Sequence, residues 1–207
     1  MEQENTVLRD EFEEYQIECE SALEINIAKI NSVRKLAKRS GKRNFFGSVE
    51  GRVKTFKSVV EKCERKGYAL NIDSIKKNIL DVAGIRIITP FRDDIFDVVE
   101  ALRHIPGVNI SDEKDYVTEP KPNGYSSYHI HAQVEIYSPI TGGSKLVPLE
   151  IQIRDKAMDL WASVEHVVKY KNDNPSPEVG DRFKEIANIL YRFDDMAIEL
   201  RDFNHDQ

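Results

Sequence analysis

One short stretch constrains this chain more than any other. From Val147 to Arg154 apolar and polar residues alternate: Val147, Leu149, Ile151 and Ile153 fall on one side, and Pro148, Glu150, Gln152 and Arg154 on the other. Successive strand side chains project to opposite faces, so this is the pattern of a half-buried β-strand. Its polar side carries an acid, an amide and a guanidinium in register, a combination suited to handling something charged. Alone, the stretch would fit an ordinary solvated sheet face equally well.

A second alternating stretch changes that balance. Pro120-Lys121-Pro122-Asn123-Gly124 is a turn signal. After it, Tyr125, Ser127, His129, His131, Gln133 and Glu135 share one face, while Ser126, Tyr128, Ile130, Ala132, Val134 and Ile136 share the other. The segment from Ser138 to Lys145, with Gly142-Gly143, reads as the connection of an antiparallel pair. The simplest register puts both polar faces on one side of the sheet, so that Tyr125, His129, Glu150 and Gln152 line one cleft.

The rest of the chain reads mostly as helix. Phe12, Tyr15, Cys19, Ala22, Leu23, Ile27, Ile30, Val33 and Leu36 recur at three- and four-residue steps, which marks a long amphipathic helix ended by Ser40-Gly41. A second helix is expected from about Arg52 to Lys66, with Val53, Phe56, Val59, Val60 and Cys63 on one face and Lys54, Ser58 and Arg65 opposite. Ile85 to Thr89 reads as a β-branched strand and about 93–104 as a helix. A helix over about 156–171, with Met158, Trp161, Val164 and Val168 inward, precedes a last one from about Pro177 to Arg201. The order α-α-β-α-β-β-β-α-α describes an α+β fold: a small mixed sheet of about five strands surrounded by helices. We expect a single domain over 1–207, with a helical extension to about 45, a catalytic core over about 46–171 and a C-terminal helix over about 172–207.

Composition sets the setting. The chain has 207 residues, 40% of them hydrophobic and 32% charged, with no apolar run long enough for a bilayer, as expected of a cytoplasmic protein. Cys19 and Cys63 sit within helical patterns and read as reduced structural residues. The net charge is −6, yet Lys29, Arg34, Lys35, Lys38, Arg39, Lys42 and Arg43 follow one another without an acid. Such a stretch either tracks a nucleic-acid backbone or is the solvated end of a helix whose dipole favours cations.

Three separated groups then converge. Arg52, Lys54, Ser58 and Arg65 supply donors for phosphate oxygens. Asp81 and Glu150 offer a pair of carboxylates suited to Mg²⁺ escorting a polyphosphate. Tyr125 offers a ring at a turn for stacking on a base. Together they outline a site for phosphoryl transfer between two nucleotides.

The chain resembles the synthetase domain of the RelA/SpoT-homologue family, in particular its small alarmone synthetases. The resemblance rests on Gly51-Arg52-Val53-Lys54 with Ser58, Asp81-Val82-Ala83-Gly84-Ile85-Arg86, the run from Lys121 to His129, Glu150-Ile151-Gln152-Ile153-Arg154, and the run from Trp161 to His166, in that order. It implies transfer of the β,γ-pyrophosphate of ATP to the 3′-hydroxyl of GDP or GTP, with release of AMP. It further implies that Arg52 and Arg86 hold adenine, and that Lys54, Ser58 and Arg65 hold the ATP phosphates. Asp81 and Glu150 would bind Mg²⁺, with Glu150 also taking the proton of the attacking hydroxyl. Tyr125 would stack on the acceptor base, and Lys121, His129 and Gln152 would contact the acceptor. Trp161 reads as core, and Arg154 as a structural partner of a carboxylate.

Two positions depart from the family pattern: Asp155 where Thr is customary and Asp159 where Asn is common. Both would add negative charge beside the acceptor pocket. The family resemblance therefore also admits a toxic relative that modifies the 3′ end of tRNA, or adenine nucleotides, with a neutralising antitoxin. In that case the Lys29 to Arg43 stretch would follow RNA. The resemblance is also compatible with a homo-oligomer.

Overall fold

The computed structural model describes residues 2–39, 43–138, 142–170 and 176–205. The elements, in chain order, are α1 (Glu2–Arg39), β1 (Val49–Val53), α2 (Phe56–Lys66), α3 (Ile72–Asn78), β2 (Ala83–Thr89), α4 (Asp94–Arg103), β3 (Val108–Asp115), β4 (Tyr128–Ser138), β5 (Gly143–Asp155), α5 (Lys156–Tyr170) and α6 (Pro177–His205). Five strands form one sheet in the order β1-β2-β5-β4-β3. β2 runs parallel to β5, and every other pairing is antiparallel.

The alternating residues decide how this sheet sits. Val147, Leu149, Ile151 and Ile153 of β5 are buried together with Tyr128, Ile130, Ala132, Val134 and Ile136 of β4. α1 crosses that face of the sheet, burying Phe12, Tyr15, Cys19, Ala22 and Ile30 against it, and α4 adds Ile95, Val98 and Leu102. Burying a side chain of this size contributes roughly 1.5–3 kcal/mol, and a one-residue slip would turn the whole set to water, so the register is strongly fixed. The stripe of α1 reaches solvent before its end, since Leu36 is 67% exposed.

The opposite face is polar and arranged in rungs. Arg52, Gly84, Glu150, His131 and Asp112 follow one another across β1, β2, β5, β4 and β3. The next rung runs Glu50, Arg86, Gln152, His129 and Lys114.

Several expectations need correction. Arg52 lies on β1 and not on a helix; α2 begins only at Phe56, capped by the Thr55 side chain, which accepts from Ser58 N. The short helix α3 was not foreseen, and Tyr125 precedes β4, which starts at Tyr128. In α5, Met158 and Trp161 are buried as expected, but Val164 and Val168 are exposed. Met158 and Trp161 form a small separate core with Phe183 and Ala187 of α6. On the outer side of α6, Ile186, Ile189, Phe193, Met196, Leu200 and Phe203 are all exposed, at alternating three- and four-residue steps.

Cys19 and Cys63 are free and buried. Among the described residues no helix is long and apolar enough to cross a membrane. Of the basic stretch, Lys29 donates to Pro106 O at 3.0 Å, and Arg43 pairs with the buried Asp94 at 2.5 Å. Lys38 and Arg39 close the last turn of α1, where the helix dipole favours cations, and Lys42 lies outside the described residues.

Candidate active site

The polar face opens into a cleft with three connected lobes. A central lobe of about 200 Å³ is lined by Glu50, Arg52, Asp81, Arg86, Glu150 and Gln152. Gly84 forms part of its floor, and with no side chain there the rung between Arg52 and Glu150 stays open. A second lobe, about 230 Å³, shares Asp81 and Glu150 and adds Lys62, Lys114, Tyr116, Lys121, His129 and His131. A third, about 950 Å³, shares Arg52, Arg86 and Gln152 and adds Arg65, Tyr125, Arg154, Glu165 and His166. Ten of the eleven expected site residues therefore meet in one cleft. Nine line its lobes, and Lys54 joins them through its ion pair with Asp81 at 2.9 Å. Ser58 is exposed in the first turn of α2, where it accepts a hydrogen bond from Thr55 Oγ1, and lines none of the three lobes.

Asp81 stands in the turn before β2, where Lys54 Nζ meets Oδ2 at 2.9 Å and Lys62 Nζ meets Oδ1 at 2.8 Å. Burial pushes its carboxyl up, but the hydrogen bonds and charges of the two lysines outweigh that and hold it below the usual range. Glu150 is 8% exposed. Burial opposes its charge as well, yet hydrogen bonds from His129, His131 and Gln152 carry its carboxyl well below ordinary values.

These groups form a closed ring of hydrogen bonds. Glu150 Oε1 lies 3.1 Å from His129 Nδ1, and His129 Nε2 lies 2.9 Å from the Tyr125 hydroxyl. His129 Nε2 also lies 2.6 Å from Ser127 Oγ, so the imidazole is held by Glu150 at one nitrogen and by Tyr125 and Ser127 at the other. Arg154 Nη2 donates both to the Tyr125 oxygen at 3.1 Å and to Gln152 Oε1 at 2.9 Å. Gln152 Nε2 closes the ring by donating to Glu150 Oε2 at 2.9 Å. Donation runs from the guanidinium through Gln152 to the carboxylate, and Tyr125 and His129 link the same two groups along a second branch, an arrangement in which bonds polarise one another.

The turn that presents Tyr125 is gripped from behind. Gly124 takes φ +87°, and a Cβ there would stand 2.4 Å from the Ala187 Cβ of α6, so glycine is required on both counts. Asn123 donates to Glu165 of α5 at 2.9 Å and accepts from Tyr125 N at 3.2 Å. Lys121 Nζ sits 4.7 Å from the Tyr125 ring centroid and 4.5 Å from that of Tyr116, a cation held between two aromatic rings.

Asp155 does not face the cleft as expected from the sequence. It is buried, and its Oδ1 accepts from Met158 N at 2.8 Å, capping α5. Asp159 does stand at the cleft, 3.7 Å from Arg154 Nη1 and 3.9 Å from Arg86 Nη1.

Some lining residues escaped the sequence reading. Lys62 lies one helical turn beyond Ser58, so helical spacing could have revealed it; His131 is two residues beyond His129 on the same face. Lys114 belongs to β3, a strand too polar to locate by pattern.

The residues fit a divalent cation that arrives with a polyphosphate. Asp81 and Glu150 are ionised hard-oxygen donors on one lobe, while among the described residues no group of three or more His, Cys, Asp or Glu could hold a metal by itself. Mg²⁺ is ordinarily held by one or two carboxylates, substrate phosphates and water, so it needs no such cage.

Residues 51–175 match the family described as "Region found in RelA / SpoT proteins". The chain belongs to the RelA/SpoT family. GTP pyrophosphokinase YwaC of Bacillus subtilis (strain 168) is 40% identical over 153 residues, which cover 73% of this chain and 72% of that protein. GTP pyrophosphokinase YjbM of the same strain is 34% identical over 194 residues, 92% of this chain and 89% of that one. Among solved RelA/SpoT structures, the small alarmone synthetase 1 from Bacillus subtilis bound to its product pppGpp superposes with a TM-score of 0.83 at 32% identity. That match covers 93% of this chain and 97% of the other. The five-stranded mixed sheet with its surrounding helices is therefore the fold of this RelA/SpoT subgroup.

Proposed function

We propose that the chain is an ATP-dependent pyrophosphokinase that moves the β,γ-pyrophosphate of ATP onto the 3′-hydroxyl of GDP or GTP, making (p)ppGpp and releasing AMP. The observation that carries this reading is the shared central lobe, where the two ionised carboxylates stand between a cationic wall and an aromatic one. The similarity to two GTP pyrophosphokinases and to a synthetase bound to pppGpp supports it.

On the donor side Arg52 and Arg86 hold adenine, and Lys54, Ser58 and Arg65 take the ATP phosphates. Lys54 exchanges Asp81 for phosphate oxygen as ATP enters. On the acceptor side Tyr125 stacks on the guanine, and Lys121, His129 and Gln152 hold the rest of the nucleotide. Glu150 accepts the proton of the 3′-hydroxyl, whose oxygen attacks the β-phosphorus of ATP while the bond to the α-phosphate oxygen breaks. Asp81 and Glu150 would hold Mg²⁺, which neutralises charge building on the phosphoryl oxygens when bound. Most of the acceleration comes from alignment and from fixed charge in a partly dry cleft. With ATP and guanine nucleotides as substrates, the reaction belongs in the cytoplasm.

YwaC and YjbM are both GTP pyrophosphokinases by name, and part of the basic stretch serves the fold through Lys29 and Arg43. The acceptor is accordingly the nucleotide. The exposed apolar stripe of α6 supports the expected association with a second copy of the chain. The test is to incubate the protein with γ-labelled ATP and Mg²⁺, separately with GDP, GTP, ATP and deacylated tRNA. Label should pass to GDP or GTP; label on tRNA alone would overturn the proposal.

A further inference from the structure

Arg154 was read from the sequence as the structural partner of a carboxylate, and Asp159 is that partner, yet the hydrogen bonds of the guanidinium go elsewhere. Its side chain is 9% exposed, and the nearest carboxylate, Asp159, is 3.7 Å away, beyond hydrogen-bond reach. Its Nε is buried with no partner. A guanidinium taken out of water for the fold alone would be expected to spend its fork on a carboxylate directly. Here Nη2 donates instead to two neutral groups of the cleft, the Tyr125 oxygen at 3.1 Å and Gln152 Oε1 at 2.9 Å, while Cζ stands 5.3 Å from the Tyr125 ring centroid.

Those two contacts are the heads of the two branches that end on Glu150. The phenol is free to rotate about its side-chain torsions unless its oxygen is held, and the Gln152 amide can flip end for end. Arg154 restricts both together, adding to the hold of His129 on the phenol and of Glu150 on the amide. Because Arg154 accepts nothing, Gln152 must turn its oxygen toward the guanidinium and its NH₂ toward Glu150.

We propose that Arg154 is the positioning residue of the acceptor seat, locking Tyr125 and Gln152 in the orientation from which a guanine nucleotide stacked on Tyr125 presents its 3′-hydroxyl to Glu150. This rests on the pyrophosphokinase reading above. Lysine is a poor substitute: both bonds leave Nη2, but an ammonium lacks the planar guanidinium that lies 5.3 Å from the Tyr125 ring and turns its other arm toward Asp159.

The experiment compares wild type with Arg154→Met, Arg154→Lys, Tyr125→Phe and the Arg154→Met/Tyr125→Phe double variant. It measures KM for GDP and for ATP, GDP binding by calorimetry and thermal melting. Arg154→Met should raise the GDP KM and weaken GDP binding by about ten- to a hundredfold, with the ATP KM within about twofold of wild type. Arg154→Lys should recover little of this. Tyr125→Phe, which keeps the ring and the guanidinium but removes the shared oxygen, should raise the GDP KM by about three- to tenfold. The double variant should be less impaired than the product of the two single effects.

An unchanged GDP KM in Arg154→Met, or equal increases for GDP and ATP, overturns the assignment. If Arg154→Met fails to fold, Tyr125→Phe decides the matter, and a wild-type GDP KM in that variant overturns it. Wild-type protein that binds GDP but transfers no label to it overturns the pyrophosphokinase reading, while the binding comparison still judges Arg154. Wild-type protein that neither binds GDP nor transfers to it overturns both.

Discussion

The two walls of the cleft are built differently. On the proposed acceptor side Tyr125, His129, Gln152, Arg154 and Glu150 hold one another in a closed ring, backed by the Gly124 turn pressed against α6. On the proposed donor side Arg52 and Arg65 are exposed, with no side-chain hydrogen bond or ion pair to other described residues. The contrast separates two ways of recognising a nucleotide. A base that must be placed against a general base needs a rigid seat formed beforehand, because misplacement of an ångström is costly to transfer. On that reading ATP is gathered by long cationic arms, Arg52 for adenine and Arg65 for phosphate, that gain their partners on binding.

The sharpest test of this contrast is Glu150→Gln. The amide keeps much of the ring but cannot take the proton, so transfer should fall at least a hundredfold in a single-turnover assay, with GDP and ATP affinities changing by less than about threefold. If both affinities collapse instead, Glu150 organises the seats and does not act on the hydroxyl. Next is Tyr125→Ala, for which steady-state kinetics should show a ten- to hundredfold rise in the GDP KM and little change for ATP; roughly equal increases would dissolve the distinction between walls. Arg65→Ala should raise the ATP KM about three- to tenfold while the melting temperature stays put, because an exposed arm contributes little to folding.

The smallest effect probes the support behind the acceptor wall. Asp194 of α6 is buried, accepts from Arg92 N at 3.0 Å, and lies in the field of the Asp155 cap. Burial, joined by Asp155, pushes its carboxyl up to about 6. A raised acid contributes stability that is complete below its unfolded value of 3.8 and is lost as pH rises through about 6. Asp194→Asn should therefore stabilise the protein at pH 7 by on the order of 1 kcal/mol, and chemical denaturation at pH 4 should show that gain shrinking toward zero. Asp81 and Glu150, both depressed, act in the opposite sense: their contribution holds at neutral pH and fades as acid protonates them.

How much the sequence revealed depends on position in the sheet. The inner strands β2, β5 and β4 are buried on one face, so alternation or a β-branched run exposed them, and the prediction that Glu150 and His129 share a face followed from period two with the simplest antiparallel register. The edge strands were the ones not located. β1 reads Val-Glu-Gly-Arg-Val, and half of β3 is charged. Each is paired on one side only, so solvent rather than core selects its residues. That is why Arg52 was placed on a helix and Lys114 was overlooked. α5 shows the converse error: a regular apolar period predicted burial for Val164 and Val168, but packing against α6 reached only as far as Met158 and Trp161.

By itself, then, the sequence determined the inner strands, the long helices, the mixed sheet and the set of residues able to act on phosphates, because hydrophobic period and side-chain chemistry are local properties. The tertiary structure decided which of them touch. Lys62 on Asp81, Arg154 on Tyr125 and Asp155 turned inward as a cap depend on strand order, on the angle of α2 and on where α5 begins. Those are outcomes of packing between segments far apart in the chain, where many residues jointly choose one arrangement and no single stretch records it.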